Sequence, residues 1–198
     1  KVYIIIMHLM QNKNLNRSLL SETKYEKTNF KDVFIKFTTI NNINFLDCNF
    51  SNVDFGTTDI TGCEFIDCNF SRCDLFSTNF KNNKFRNINA SDFDLRQGLL
   101  DSNKFDNCHF FNSCFRGSKF INNEFQGFLA SNCDMKNIVF EKNNFNEITI
   151  KFSNLFKTEF KNENLEKFNL KDCNTFLCSI KDSTGYETLD IDKYLIIN

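Results

Sequence analysis

The chain has 198 residues, a length typical of a single domain, and 26 of them are Phe. So many aromatic side chains need a large interior, which excludes a loose polar coil. Lys and Arg total 24 and Asp and Glu total 25. This balance provides neither the basic footprint of a nucleic-acid-binding protein nor a strong overall acidic field.

The nine cysteines raise the question of a secreted scaffold held by disulfides. Their number is odd, the chain is long for such a scaffold, and no small-residue cleavage site follows the apolar segment VYIIIMHLM at residues 2–10. That segment is also too short to span a bilayer as a helix. We therefore expect reduced thiols in a cytoplasmic protein without membrane contacts.

The first segment, residues 1–27, is predicted to cap the N-terminal end of the structure that follows. Leu15, Leu20 and Tyr25 already have the five-residue spacing of the next segment, so degenerate repeats begin here. The apolar run Ile4–Ile6 is available to cover the first coil. A cap is needed because the open end of a repeat structure exposes its core and unpaired strand edges.

The central segment, residues 28–182, is an uninterrupted five-residue repeat. Every fifth residue from Phe30 to Ile180 is large and apolar except Ala90, Ala130 and Thr175. The position two before it holds eight of the nine cysteines, and the position just before it favours Asn or Asp. A period of five fits neither a helix nor a flat strand. It predicts a solenoid that turns a corner every five residues, with two residues inward and three outward.

The run CNFSRCDLFSTNFKNNKF at residues 68–85 resembles the pentapeptide-repeat family, whose consensus is A-(D/N)-L-x-x. The resemblance extends over residues 28–182, with Phe in place of the consensus Leu and Cys or Thr in place of Ala. It implies an all-β fold, a right-handed quadrilateral β-helix of about eight coils with a short helical or extended C-terminal cap. At ~4.8 Å per coil the rod is roughly 37 Å long.

A second period, of twenty residues, supports four-sided coils. Five inward small positions are polar and lie twenty residues apart: Asn83, Asn103, Asn123, Asn143 and Glu163. We expect them to form one column in which stacked amides hydrogen-bond from coil to coil, with Glu163 at its end. We interpret this column as a structural ladder, because flanking Phe side chains should fill the interior and leave no ligand channel.

Sorting the outward residues by the same period gives two candidate partner faces. One carries a column of Asp with Arg96, Arg116 and Lys136 beside it, and these opposite charges should largely neutralise each other. The other face is mildly acidic. Together the candidate partner residues are Asp54, Asp74, Asp94, Asp134, Glu64, Asp67, Asp106, Glu124 and Glu147.

The last segment, residues 183–198, is predicted to cap the rod and to contact a second copy. Thr184 and Glu187 have the spacing of a capping box, which favours a short helix from about Gly185. Qnr-type and MfpA-type members of the family, which the chain resembles, have a C-terminal dimerising segment, so the resemblance implies a homodimer. The candidate cap or dimer contacts are Phe156, Phe176, Leu177, Tyr186, Leu189, Tyr194, Leu195, Ile196 and Ile197.

The sequence offers little chemistry. Cys63, Cys68 and Cys73 lie five residues apart, which is not the C-x₂-C spacing of a zinc site. Cys114 and His109 occupy outward slots, but no third group orients them as a catalytic pair. No glycine-rich phosphate loop or metalloprotease motif is present in the sequence. We expect a protein that is not an enzyme and that uses no cofactor, metal or small-molecule substrate.

Two functions remain open at this point. The resemblance implies a protein-binding rod, and its most specific form is a modulator of DNA gyrase or topoisomerase IV. Qnr-type and MfpA-type members mimic duplex DNA and protect these enzymes from quinolones. The near-neutral surface suits equally a general interaction scaffold or effector module with another, unidentified protein partner.

Overall fold

The computed structural model describes residues 13–17, 20, 24–191 and 196–197. The strands between residues 24 and 181 pair in parallel with segments twenty residues away, as Phe45 does with Phe65 and Phe65 with Phe85. The predicted all-β solenoid of about eight turns is therefore confirmed. Its walls are numbered by their inward residues in steps of twenty: wall 1 from Tyr25 to Leu165, wall 2 from Phe30 to Leu170, wall 3 from Ile35 to Thr175 and wall 4 from Ile40 to Ile180.

Two parallel sheets form three of the walls. Walls 1 and 2 share a ten-stranded sheet made of β1 (Lys24–Glu26), β3 (Asn44–Leu46), β5 (Glu64–Ile66), β7 (Lys84–Arg86), β8 (Asn89–Ser91), β10 (Lys104–Asp106), β11 (His109–Phe111), β13 (Glu124–Ser131), β15 (Asn144–Lys151) and β17 (Phe168–Lys171). Wall 4 is a nine-stranded sheet made of β2 (Thr39–Asn41), β4 (Asp59–Thr61), β6 (Asn79–Lys81), β9 (Leu99–Asp101), β12 (Lys119–Ile121), β14 (Val139–Glu141), β16 (Glu159–Lys161), β18 (Ser179–Lys181) and β19 (Ile196–Ile197). Wall 3 consists of isolated bridges, from Asn14 with Phe34 to Asn154 with Asn174. In the described residues, no helix has the length and apolar character needed to cross a membrane.

The strands are short because the chain turns at the second residue after each inward apolar residue. These corner residues have left-handed backbone angles, such as φ 55° at Asn42 and φ 65° at Gly62. Most corner positions hold Asn, Asp or Gly, the residues that adopt this conformation at least cost. This enrichment is a second signal in the sequence for the corners of the solenoid.

Three corners carry large apolar residues instead, namely Phe37 (φ 54°), Phe152 (φ 51°) and Leu177 (φ 59°). Phe152 is 53% exposed, so little burial offsets its strained backbone. We expect Phe152→Asn to stabilise the protein by about 1 kcal/mol, because Asn tolerates left-handed angles better than Phe does. The reciprocal change in the coil before it, Asn132→Phe, should cost a similar amount. Urea unfolding of both variants measures this, and a destabilised Phe152→Asn would contradict it.

The core is a set of stacked rings. On wall 1, rings twenty residues apart from Phe45 to Phe125 stack with centroids 4.9–5.2 Å apart, and the ring of Phe145 follows at 5.5 Å in a tilted arrangement. Cys63, Cys68 and Cys73 are buried free thiols beside these rings. They act as small apolar fillers of the inward corners.

Packing in the core explains why two inward positions of wall 2 hold the small residues Ala90 and Ala130. Where the inward residue is Ala130, the position two before it is Phe128, whose ring lies 5.2 Å from that of Phe125. Ala90 is preceded by the smaller Ile88, and a void of about 40 Å³ lined by Ile88 and neighbouring apolar residues remains in the core there. The large Phe128 thus compensates for Ala130, whereas Ile88 compensates only partly for Ala90 and leaves the void.

The N-terminal coils begin before the predicted boundary at residue 28. Tyr25 stacks on Phe45 at 5.5 Å, and Asn14 forms a bridge with Phe34. Residues 1–12, which include the proposed Ile4–Ile6 cover, lie outside the described residues. The boundary between cap and repeats stays a prediction.

The C-terminal end is mainly extended. The predicted capping box is wrong, because Thr184 continues wall 1 by bridging to Asn164 and no side chain caps the 3₁₀ turn at Tyr186–Thr188. Gly185 supplies the left-handed angle (φ 71°) that starts this turn. The backbone of β19 then pairs with β18. Tyr186, Leu189 and Ile191 pack against the end of the core, so this segment covers the last coil.

Candidate partner surfaces

The Asp side chains in the column of wall 3 stabilise the turns of that wall. The carboxylates of Asp54, Asp74, Asp94 and Asp134 each accept a hydrogen bond from the backbone N–H two residues later, at 2.9–3.3 Å. This local bond locks the turn of the wall. Cys114 interrupts the column between Asp94 and Asp134.

Three of the four Asp side chains in the wall 3 column form ion pairs within the protein. Ion pairs join Asp54 with Lys36 at 2.7 Å, Asp94 with Arg96 at 2.6 Å and Asp134 with Arg116 at 2.5 Å. Contact with Asp54 raises the pKa of Lys36, and contact with Asp134 raises that of Arg116. Wall 3 therefore does not present the continuous negative surface of a DNA duplex.

Wall 1 carries charges of both signs along the rod. Glu64 lies beside Lys84 in register, and Glu124 lies beside Lys104 with an ion pair of 2.6 Å. At the corner between walls 1 and 2, Asp67 accepts from Asn87 at 2.9 Å. The remaining acidic candidates on this side are Asp106 and the corner residue Glu147, and both are exposed. This arrangement gives no concentrated acidic patch.

Among the described residues, the exposed Phe side chains lie on one side of the rod. Of the described large apolar side chains, the most exposed all belong to walls 2 and 3 or their corners: Phe34, Phe37, Phe76, Phe111, Phe152 and Phe176. Three wall 3 rings lie under cations, at 5.7 Å for Arg17 over Phe37, 5.8 Å for Arg96 over Phe76 and 5.2 Å for Lys157 over Phe156. This aromatic side is the surface least explained by the needs of the fold.

The predicted cap or dimer contacts separate into two groups. Phe156 and Phe176 stack on wall 3 with centroids 6.0 Å apart, and Leu177 is half-buried at the next corner. Tyr186 and Leu189 instead cover the chain's own core. Tyr194 and Leu195 lie outside the described residues, and for Ile196 and Ile197 only the backbone is described.

The buried ladder is continuous. The Oδ1 atom of Asn103 accepts from the backbone N–H of Asn83 at 2.9 Å and from its Nδ2 at 3.1 Å, and Asn123 and Asn143 repeat this arrangement. The first donor is the N–H of Cys63, to Asn83 at 2.8 Å. The ladder runs through the corner between walls 4 and 1, with each member at most 8% exposed.

The half-buried thiol of Cys114 is poorly suited to nucleophilic chemistry. Burial raises its pKa, whereas a reactive cysteine needs a lowered one. Across the described ranges, no group of three His, Cys, Asp or Glu side chains lies close enough to hold a metal ion.

Similar proteins were found by sequence pattern and by structure. The pattern of the pentapeptide repeats, in eight copies, matches residues 58–92. Trypsin-treated QnrB1, a plasmid-mediated fluoroquinolone resistance protein, is 18% identical, with 94% of this chain and 91% of that chain covered and a TM-score of 0.47. HetL, a pentapeptide repeat protein involved in heterocyst differentiation regulation from the cyanobacterium Nostoc sp. strain PCC 7120, is 10% identical, with 89% and 94% covered and a TM-score of 0.32. No curated protein sequence matches the chain.

Proposed function

Because the chain belongs to the pentapeptide-repeat family, we propose that it is a non-enzymatic rod that binds another protein through its outer walls. The observation that carries the proposal is the one-sided distribution of exposed Phe on walls 2 and 3. The interior is occupied by stacked rings and by the ladder, so recognition is left to the outside. The nine free thiols support a reducing compartment such as the cytoplasm.

The two specific versions of this function differ in how the partner is bound. A modulator of DNA gyrase or topoisomerase IV that imitates DNA requires an extended acidic surface. The ion pairs of wall 3 and the mixed charges of wall 1 do not favour such a surface. A scaffold that binds a protein partner through aromatic and paired charged groups is better supported, and topoisomerase modulation is the alternative to be tested.

A supercoiling assay separates these versions. With purified gyrase and micromolar rod protein, we expect no change in supercoiling and no protection from a quinolone. Inhibition or protection by the wild type would overturn the preference for a scaffold, and charge-removing variants of Asp74 and Asp94 would then show whether acidic residues are responsible. In that outcome, the double variant Phe76→Ser and Phe111→Ser would show whether the aromatic side is needed for the effect.

We also propose a homodimer, with contact through the C-terminal end. The stacked pair Phe156 and Phe176 on wall 3 is the described candidate for this contact. Light scattering after size exclusion should give twice the mass of the chain for the wild type and the single-chain mass for Phe156→Ser combined with Phe176→Ser. A monomeric wild type at high micromolar concentration would exclude the dimer.

A further inference from the structure

The last member of the buried ladder is a carboxyl group where the four earlier members are amides. Glu163 is 3% exposed. Its carboxyl accepts from the backbone N–H of Asn143 at 3.0 and 3.1 Å and from Asn143 Nδ2 at 2.8 Å. The Glu163 carboxyl therefore accepts the same hydrogen bonds as the Oδ1 atom of an Asn in the ladder.

When this carboxyl is ionised, it cannot donate the hydrogen bond that each Asn of the ladder donates from Nδ2. Each Asn of the ladder also donates from Nδ2 to the backbone carbonyl 23 residues earlier, at 2.8–3.0 Å: Asn83 to Ile60, Asn103 to Phe80, Asn123 to Leu100 and Asn143 to Phe120. The equivalent carbonyl for Glu163 belongs to Phe140, and no side chain of the described residues donates to it. A carboxylate only accepts hydrogen bonds, whereas a neutral carboxylic acid has one O–H to donate.

Glu163 also lies at the base of the C-terminal coil. Its N–H donates to Ser183 Oγ at 3.0 Å, and its carbonyl accepts from the N–H of Thr184 at 2.8 Å. The residues that follow, Tyr186 and Leu189, cover the end of the core. A change at Glu163 therefore acts directly on the segment that closes the rod.

We propose that Glu163 makes this end of the rod pH-sensitive: its neutral acid completes the ladder and holds the C-terminal coil, residues 163–191, and its carboxylate loosens that coil. The added proton takes the place of the missing amide hydrogen. Ordinary local opening of the coil would then expose the core end and any surface formed there.

The electrostatic surroundings favour the neutral form. Burial raises the pKa of Glu163 to about 7, with a smaller contribution in the same direction from the negative charge of Glu141. Its hydrogen bonds from Asn143 act in the opposite direction but do not outweigh burial. The other charged groups of this corner and its flanking strands extend to the outer side of the walls: Lys142, Glu159, Lys161, Lys181 and Asp182.

The direction of the pH effect follows from this pKa. The folded state holds the proton more tightly than the open state, in which the carboxyl returns to 4.5. The stabilising effect is complete below pH 4.5, declines as the pH rises and is lost above pH 7. Between pH 5 and pH 8, the equilibrium constant for opening the coil should rise by roughly 50- to 100-fold.

Hydrogen–deuterium exchange tests the proposal. After correction for intrinsic exchange rates, peptides covering 163–191 should lose protection between pH 5 and pH 8 in the wild type. Peptides from the middle of the rod should change less. Glu163→Gln is uncharged at every pH and should remove the difference, whereas Glu141→Gln, a neighbouring outward carboxylate, should largely retain it.

An equal pH dependence in Glu163→Gln and wild type would overturn the proposal, as would a wild type without one. A direct measurement covers the case in which the Gln variant does not fold. The ¹³C carboxyl resonance of Glu163 in the wild type should titrate near neutrality, and a midpoint below about 5 would exclude the mechanism.

Discussion

Asn103→Leu is expected to lower the free energy of unfolding by about 4 kcal/mol. Leu shares the branching of Asn at Cγ but is larger and has no polar atoms, so the site stays filled and dry. Two donors of Asn83, its N–H and its Nδ2, lose the Oδ1 acceptor, and the carbonyl of Phe80 loses a donor. Each buried polar group left without a partner costs ~1–3 kcal/mol.

The matched control for this variant is Asn79→Leu. Asn79 is exposed and donates to Asp59 at 2.7 Å, and the same wall 4 position in the next coil is naturally Leu99. We expect a change of less than about 1 kcal/mol there, because water replaces the lost bond. Urea unfolding followed by circular dichroism compares the two variants. Equal losses would show that the ladder is not a major source of stability.

Phe105→Ala is expected to cost about 3–5 kcal/mol, the range for removing a buried aromatic ring. Phe105 is 4% exposed and lies 5.0 Å from both Phe85 and Phe125 in the wall 1 stack. Its loss leaves a cavity between two rings that the strand pairing holds in place. Phe105→Leu should lose about 1–2 kcal/mol, since most of the volume is kept.

Phe111→Ala serves as the control in the same coil. Phe111 is 36% exposed on wall 2, so its truncation creates no enclosed cavity and should cost less than about 1 kcal/mol. Calorimetry of the three variants measures their melting temperatures, which should be lowest for Phe105→Ala. A melting temperature for Phe105→Ala equal to that of Phe111→Ala would contradict the description of the core.

Interior and surface variants therefore answer different questions. Changes at Asn103 or Phe105 act on coil stacking, and each coil contacts only its neighbours, so the damage spreads from the altered coil. Changes at Phe76 or Phe111 leave the stack intact and test partner binding. A function lost in an interior variant would indicate only that the rod had unfolded.

Several features of the site were predictable from spacing alone. A residue's place in the five-residue phase determines whether it faces inward, and the twenty-residue period places Asn103 and Glu163 in one column. The ion pair of Asp94 with Arg96 was also foreseeable, because these residues are fixed two positions apart.

Other features depend on the residues of the neighbouring coils. The strained Phe152 is apparent only when its backbone angle is known, and the inward Phe128 beside Ala130 only when the volumes of neighbouring coils are compared. Thr184 fits a capping box in sequence, but pairing with Asn164 holds it in wall 1.

By itself the sequence determined the repeat, the four-sided coil and the identity of the ladder, because a strict period leaves only one inward set of residues. The tertiary structure alone decided how far each outward charge is neutralised, where the exposed Phe side chains gather and what Glu163 faces. Those properties arise between coils, where residues twenty apart are brought within contact distance.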